Sequence, residues 1–472
     1  MIAAASASGI SVETYGWDTV FGIPVPDVNK AIVDRKSSPP SFTFQDQGFT
    51  LSARFGDWQI CQGGDGKAVR MLLPMKEVVL TYTSTGKTFS FDTGHAVVEI
   101  ELHYIPHTGT SGAEQAGGNP MALVANASAT DPNTPVFTVI ALALDPPPGD
   151  VTQAVISQGI ADWGTANLAE FAHVFAVVDL NLMVDQGSWG FVTPNYTSYA
   201  YLDGATLADS TFGVLTMTGD RVAGKNLEQI SPAAIPAGSV AGFLISNQRA
   251  LLDVVRPAIM QTYSGLSVDN FQLNEQNELY LLPDVEIDLA PVEHNGSTYY
   301  PKLTSITIQS LGQYFTLTAY TRTEVAAGIT AWCQTVHQYT IQLGTSSKGQ
   351  TLNFVTLGSP SVTNGIDQSP GSVLTQLIIA IVGAVGLIVL TVVTDGAALV
   401  VGGLLIGLML GADAITPALI KDLNTDDSPS IDLLLVNSVA TITWPSSDEK
   451  VFKLDYGSMN TSLQLGGDPV FV

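Results

Sequence analysis

The sequence predicts an α+β protein in which long, strongly curved antiparallel sheets wrap long apolar helices. Three features of the chain lead there. From Phe42 onward, apolar and polar residues alternate over many short runs, the period of strands with one buried face. Val240 to Tyr263 carries Phe243, Leu244, Leu251, Leu252, Val255 and Ile259 and reads as a strongly helical stretch kinked at Pro257. Val373 to Leu419 is nearly all Leu, Ile, Val, Ala and Gly, broken once at Thr394-Asp395-Gly396, and reads as two apolar helices folded into a hairpin.

In order, Asp27 is placed to cap a short helix through Ile32 that follows Pro24 and Pro26. Alternation then gives strands at Phe49 to Phe55, at Trp58 to Ile60, around Phe89 and Phe91, and at Val98 to Tyr104. A strand at Val136 to Leu144 ends at three prolines, and Val151 to Leu168 has helical spacing with Asp150 as its cap. Strands resume at Ala172 to Met183 and run from Tyr199 to Met217, and the Pro/Gly-rich passage Ser231 to Gly238 reads as the main boundary. Beyond the helical stretch, Leu279 to Ile287, Lys302 to Ile308, Tyr314 to Thr321, Thr335 to Leu343 and Thr351 to Leu357 suit a second curved sheet. A short helix near Ile431 to Val436 and strands at Ala440 to Trp444, Val451 to Leu454 and Thr461 to Leu465 close the chain.

Each half of the apolar hairpin is long enough to cross a bilayer, which takes about 20 apolar residues. Gly403, Gly407 and Gly411 line one helix face, so the two backbones can pack closely. The aromatic belts and basic flanks of a membrane hairpin are missing, since no Trp, Tyr, Lys or Arg occurs from Val373 to Leu419. Burial in the fold and insertion into a membrane both stay open on these residues.

A net charge of −25 with only 18 Lys plus Arg leaves no basic surface for phosphate, so nucleic-acid binding is not expected. Membrane contact, for the same reason, would have to be largely apolar or confined to a local basic patch. The first residues have neither the basic nor the apolar region of a signal peptide, so the chain is expected to be made in the cytoplasm, with any release or secretion by another route. Cys61 and Cys333 are read as two separate buried thiols or one long-range bridge.

Catalytic motifs fail on their details. Gly219-Asp220-Arg221-Val222-Ala223-Gly224-Lys225-Asn226 has the spacing of a phosphate loop but carries Asn where Ser or Thr should hold magnesium, and prolines follow where a helix should start. No nucleophile elbow is present, and His103 and His107 lack partners at metal-ligand spacing. No catalytic residue, metal or cofactor is expected, and the chain is read as not an enzyme.

Tyr15-Gly16-Trp17-Asp18-Thr19-Val20-Phe21-Gly22, Val28-Asn29-Lys30, Asp57-Trp58-Gln59-Ile60 and Gly63-Gly64 resemble the start of the forty-seven-kilodalton proteins encoded beside OrfX-type clostridial neurotoxins. Gly242-Phe243-Leu244-Ile245-Ser246, Ser430-Ile431-Asp432-Leu433-Leu434, Trp444-Pro445 and Gly466-Gly467 extend the likeness over most of the chain. That family is similar to the tubular lipid-binding (TULIP) superfamily, which implies two tubular units at 1–230 and 231–425, with 426–472 free to return to the first, and favours a hairpin packed inside the fold. A lipid or other apolar ligand is the implied partner, and Phe243, Leu244, Leu251, Leu252, Val255 and Ile259 are the candidate groove wall. The alternative is a scaffold or partner protein in a toxin-associated complex, with Tyr15, Trp17 and Phe21 as candidate anchors for another chain. A third reading is insertion of the hairpin into a membrane once Asp395 and Asp413 are protonated.

Overall fold

Six strands drawn from four distant parts of the chain meet in one antiparallel sheet at the centre of the computed structural model. The structure describes residues 11–36, 38–106, 120–125, 137–167, 178–179, 194–219, 221–224, 226–252, 256, 260, 265–289, 291–294, 297–346, 349–358, 361–370 and 453–468. In spatial order the central strands are Pro194–Leu202, Thr211–Thr218, Thr19–Pro24, Ala241–Ile245, Ser462–Asp468 and Lys453–Asn460.

Two eight-stranded antiparallel sheets adjoin it, and each is built on a pair of unusually long strands. In the first the pair is Ala68–Tyr82 and Thr88–Pro106, which zip from Thr81 opposite Thr88 to Ala68 opposite Glu101. In the second it is Tyr314–Ala326 and Ile329–Ser346. Shorter strands line several of the long ones in succession: Ala68–Tyr82 pairs with Phe49–Phe55 at one end and Gln59–Asp65 at the other. A register shift within the first of these pairings, where Ser52 faces Val79 and Arg54 faces Lys76, places an extra residue in the long strand and bends it.

These findings correct the predicted class. Antiparallel sheets dominate the described residues, and they are open rather than wrapped around long apolar helices in two tubular units. The α-helices described are short: Val25–Arg35, Asp150–Ala166 and Asn247–Ala250. None is long and apolar enough to cross a membrane. The apolar hairpin of 373–419, the helix near 431–436 and the strand at 440–444 lie outside the described residues.

The clearest misreading is the helix from Val240. Ala241–Ile245 is a central strand with every residue buried, and helical backbone resumes only at Asn247–Ala250, where Ser246 Oγ caps Arg249 N–H at 3.3 Å. A short, continuously apolar run suits a strand buried on both faces as well as it suits a helix, and its periodicity cannot separate the two. Its neighbours decide, because it fills the gap between Thr19–Pro24 and Ser462–Asp468. The two longer helices stand where the sequence placed them, but their caps differ: Pro24 and Gly149 are the N-cap residues, and the expected caps Asp27 and Asp150 lie in the first turns, where a carboxylate still complements the positive helix end.

Asp150–Ala166 lies across the inner face of the first eight-stranded sheet. Trp163 packs on Phe42 with ring centroids 5.0 Å apart, and Phe55 and Trp58 complete the cluster. Close approach of helix to sheet depends on Gly159, where a Cβ would come within 2.8 Å of Leu51, and on Gly164, where it would meet the Phe137 ring at 2.6 Å.

A second close approach organises the central sheet. Gly213 faces Gly22, Gly22 faces Gly242, and Gly242 faces Gly466, so four adjacent strands share a row of glycines. The backbone from Ile230 to Ser239 lies along this row: the Ala234 carbonyl sits 2.1 Å from where a Gly242 Cβ would be, Ile230 fills the space at Gly213, and Pro236 that at Gly466. Gln464, buried in the same sheet, donates from Nε2 to the Ala233 carbonyl at 2.6 Å and to that of Ala234 at 3.2 Å. The Pro/Gly-rich passage is therefore packed flat on the sheet.

The buried face of the second eight-stranded sheet mixes Phe315, Leu317 and Ala319 with Thr321, Thr323, Thr335 and His337. Burial holds the His337 imidazole below the ordinary histidine pKa of 6.5. Cys333, on the same face, and Cys61 are both free thiols.

Gly242→Ala should lower stability by about 3 kcal/mol through overpacking, whereas Gly22→Ala, whose Cβ would make ordinary contacts at 3.4 Å, should cost less than about 1 kcal/mol; denaturant midpoints of the two variants check this. For His337 the unfolded chain takes up a proton first as pH falls through 6.5, so stability is full above that value and declines towards the lower folded pKa. His337→Gln should flatten this part of a stability-against-pH profile.

Candidate partner-binding surface

At one end of the central sheet the turn before Thr19 carries three of the conspicuous aromatic and acidic residues, and each is held differently. Tyr15 is half-buried and takes a positive φ of 51°, and Gly16 follows at 92°. The turn closes by Trp17 N–H donating to the Thr14 carbonyl at 3.0 Å. Trp17 is thereby driven inward and is 1 % exposed, and its Nε1 donates to the Leu227 carbonyl at 2.9 Å. Leu227 N–H donates back to the Tyr15 carbonyl at 3.2 Å, which ties the turn to the loop after the Thr211–Thr218 strand.

Asp18 is fully buried and fixes the same end of the sheet. Its Oδ2 accepts from Thr218 N–H at 2.9 Å and from the Thr218 hydroxyl at 3.1 Å, while Arg221 Nε lies 3.1 Å from Oδ1. The Asp18 backbone bonds both neighbours, donating to Thr216 and accepting from Ser246. Arg221 extends the network by donating from Nη2 to Gln248 Oε1 at 2.9 Å, and Gln248 Nε2 reaches Asn277 Oδ1 at 3.1 Å. A carboxylate without water is stable here because each oxygen has a charged or amide partner.

Above this framework lies an apolar surface. Tyr196 stacks on Trp17 with ring centroids 5.9 Å apart and planes within 6°, yet remains 46 % exposed. Leu227 is 51 % exposed, and Val222 is 83 % exposed between Arg221, anchored on Asp18, and Ala223, packed on the core around Trp17. The loop from Gly219 carries no helix among its described residues, so the phosphate-loop spacing corresponds to an ordered turn bound to Asp18. Among the described residues no group of His, Cys, Asp and Glu could hold a metal ion.

The predicted anchors divide accordingly. Trp17 and Phe21 are buried, Phe21 tilted against Phe243 at 6.5 Å, and Tyr15 is partly covered. Sequence reasoning found the buried residue and missed the exposed apolar residues at this end of the sheet, Tyr196 stacked on it, Leu227 bonded to it and Val222 in the loop between. The signal was available only as a pairing, because Tyr196 and Leu227 reach Trp17 from about 200 residues away.

Of the candidate groove wall, Phe243 and Leu244 are buried in the central strand, Leu251 is fully buried after the short helix, and Leu252 is half-buried. Val255 and Ile259 lie outside the described residues.

Comparison with known proteins places these features in a family. The family described as OrfX-like, Protein OrfX2/OrfX3/P47, matches residues 14–467. Protein OrfX3 of Paraclostridium bifermentans is 34% identical over 96% of this chain and 98% of its own length. Protein OrfX3 of Clostridium botulinum (strain Kyoto / Type A2) is 30% identical over the same share of each. The crystal structure of P47 of Clostridium botulinum E1 has the same fold, with a TM-score of 0.64 at 14% identity, covering 97% of this chain and 100% of that one.

Asp18→Ala should cost about 3 kcal/mol in a denaturant titration, since it removes the ion pair to Arg221 and leaves both Thr218 donors without their acceptor. A loss under about 1 kcal/mol would mean that the carboxylate does not hold this end of the sheet.

Proposed function

This chain belongs to the OrfX-like family of OrfX2, OrfX3 and P47 proteins, and we propose that it is an accessory protein of a toxin-associated assembly that docks another protein on the Tyr196–Leu227–Val222 surface. The observation that carries the proposal is Tyr196, a half-exposed aromatic held rigid on buried Trp17. An aromatic that is already ordered loses little side-chain freedom on binding, which is what makes such residues dominant at interfaces. Arg221 and Gln248 at the margin supply a polar rim. The lipid-groove alternative gains no support from Phe243, Leu244 and Leu251, because all three are buried against the chain's own core.

The test is affinity capture of proteins encoded beside this chain, using the wild type and a Tyr196→Ser, Leu227→Ser variant. The wild type should recover one partner stoichiometrically, and the variant, with an unchanged circular dichroism spectrum, should bind at least about tenfold more weakly. Equal capture by both, or no stoichiometric partner, would overturn the reading.

A further inference from the structure

The Ser41–Gln45 strand is the outermost of the first eight-stranded sheet. Phe55 N–H donates to the Pro40 carbonyl and Asp46 N–H to the Phe49 carbonyl, both at 2.9 Å. Phe42 opposite Ala53 and Phe44 opposite Leu51 fall in the same phase. In an antiparallel pair alternate residues turn both backbone groups to the neighbour and those between turn theirs away. The even-numbered positions therefore bond inward, and Ser41, Thr43 and Gln45 present N–H and C=O outward. All three are exposed, and no strand among the described residues lies on their outward side.

Native sheets blunt such edges with charges, proline or bulges. The strand is short and is flanked by Pro39-Pro40 and Asp46, but Ser41-Phe42-Thr43-Phe44-Gln45 itself has no charge and no proline, and the register shift between Ser52 and Arg54 lies one strand further in. The sequence is also nearly symmetric about Thr43.

We propose that this edge pairs antiparallel with the same strand of a second copy, about a two-fold axis at Thr43. Thr43 then faces its own counterpart and Ser41 faces Gln45, and every one of these rungs exchanges two backbone bonds. Phe42, already buried on Phe55 and Trp163, lies opposite the half-buried Phe44 of the other copy, and the threonine pair at the axis is the favourable cross-strand contact. The contact is isologous and closes as a dimer. Five residues bury little area, and two copies each carrying −25 repel. The association is accordingly weak and strengthens with salt, the reverse of a pairing driven by opposite charges.

Sedimentation velocity of the full chain at concentrations up to about 100 µM, in about 0.05 M and about 0.5 M salt, tests this. The wild type is expected to show a monomer–dimer equilibrium that shifts to dimer at higher salt. Thr43→Pro removes only an outward N–H and should be monomeric in both with an unchanged circular dichroism spectrum. Thr43→Lys, which sets like charges at the axis, should also be monomeric and covers any misfolding of the proline variant. A wild type that stays monomeric at high salt, a dimer that weakens with salt, or one that survives Thr43→Lys would overturn the proposal.

Discussion

Closure of the central sheet is the constraint on which the remaining structure rests. Thr19–Pro24 can be paired on both sides only when Thr211–Thr218 and Ala241–Ile245 have arrived, and the latter is covered only by Ser462–Asp468 near the other end of the chain. Both large sheets are fastened to this one. Gly66 and Tyr201 exchange backbone bonds of 3.1 and 2.7 Å and Lys67 pairs with Glu228, which joins the first eight-stranded sheet to the Pro194–Leu202 strand. Thr461 N–H donates to the Gly312 carbonyl, and Gln248 bonds Asn277, which joins the second. Contacts of this sequence separation are costly to close and slow folding.

The proposed docking surface draws its rigidity from this arrangement. Trp17 and Asp18 sit one after the other at the start of the central strand, one holding the aromatic surface and the other the loop that carries Val222. Recognition groups work best when the shell beneath them is fixed, and here that shell is the sheet itself.

Local pattern was legible in the sequence wherever one face of an element is exposed. The Val25–Arg35 and Asp150–Ala166 helices and the long alternating strands follow from spacing and prolines, while the capping residues were misplaced by one or more positions. Ala241–Ile245 failed because both of its faces are buried, which removes the polar residues that reveal a period. The family likeness rested on aromatic and glycine positions, and three of those glycines, Gly22, Gly242 and Gly466, prove to be neighbours in one row. Single residues were thus recognisable, while the row and the Tyr196–Trp17 stack were hidden because they exist only between distant segments. Tyr196 offered no local mark that it would stand exposed over Trp17.

The glycine row also orders events during synthesis. The crossing segment Ile230–Ser239 leaves the ribosome long before Gly466 and Gln464, which complete the bed it lies in. At roughly 5–20 residues per second, the interval between them lasts some tens of seconds in a slow cell. Throughout it, Ala241–Ile245 has an unpaired edge, and the carbonyls of Ala233 and Ala234 wait for Gln464. The centre of this protein is finished only when the Ser462–Asp468 strand emerges.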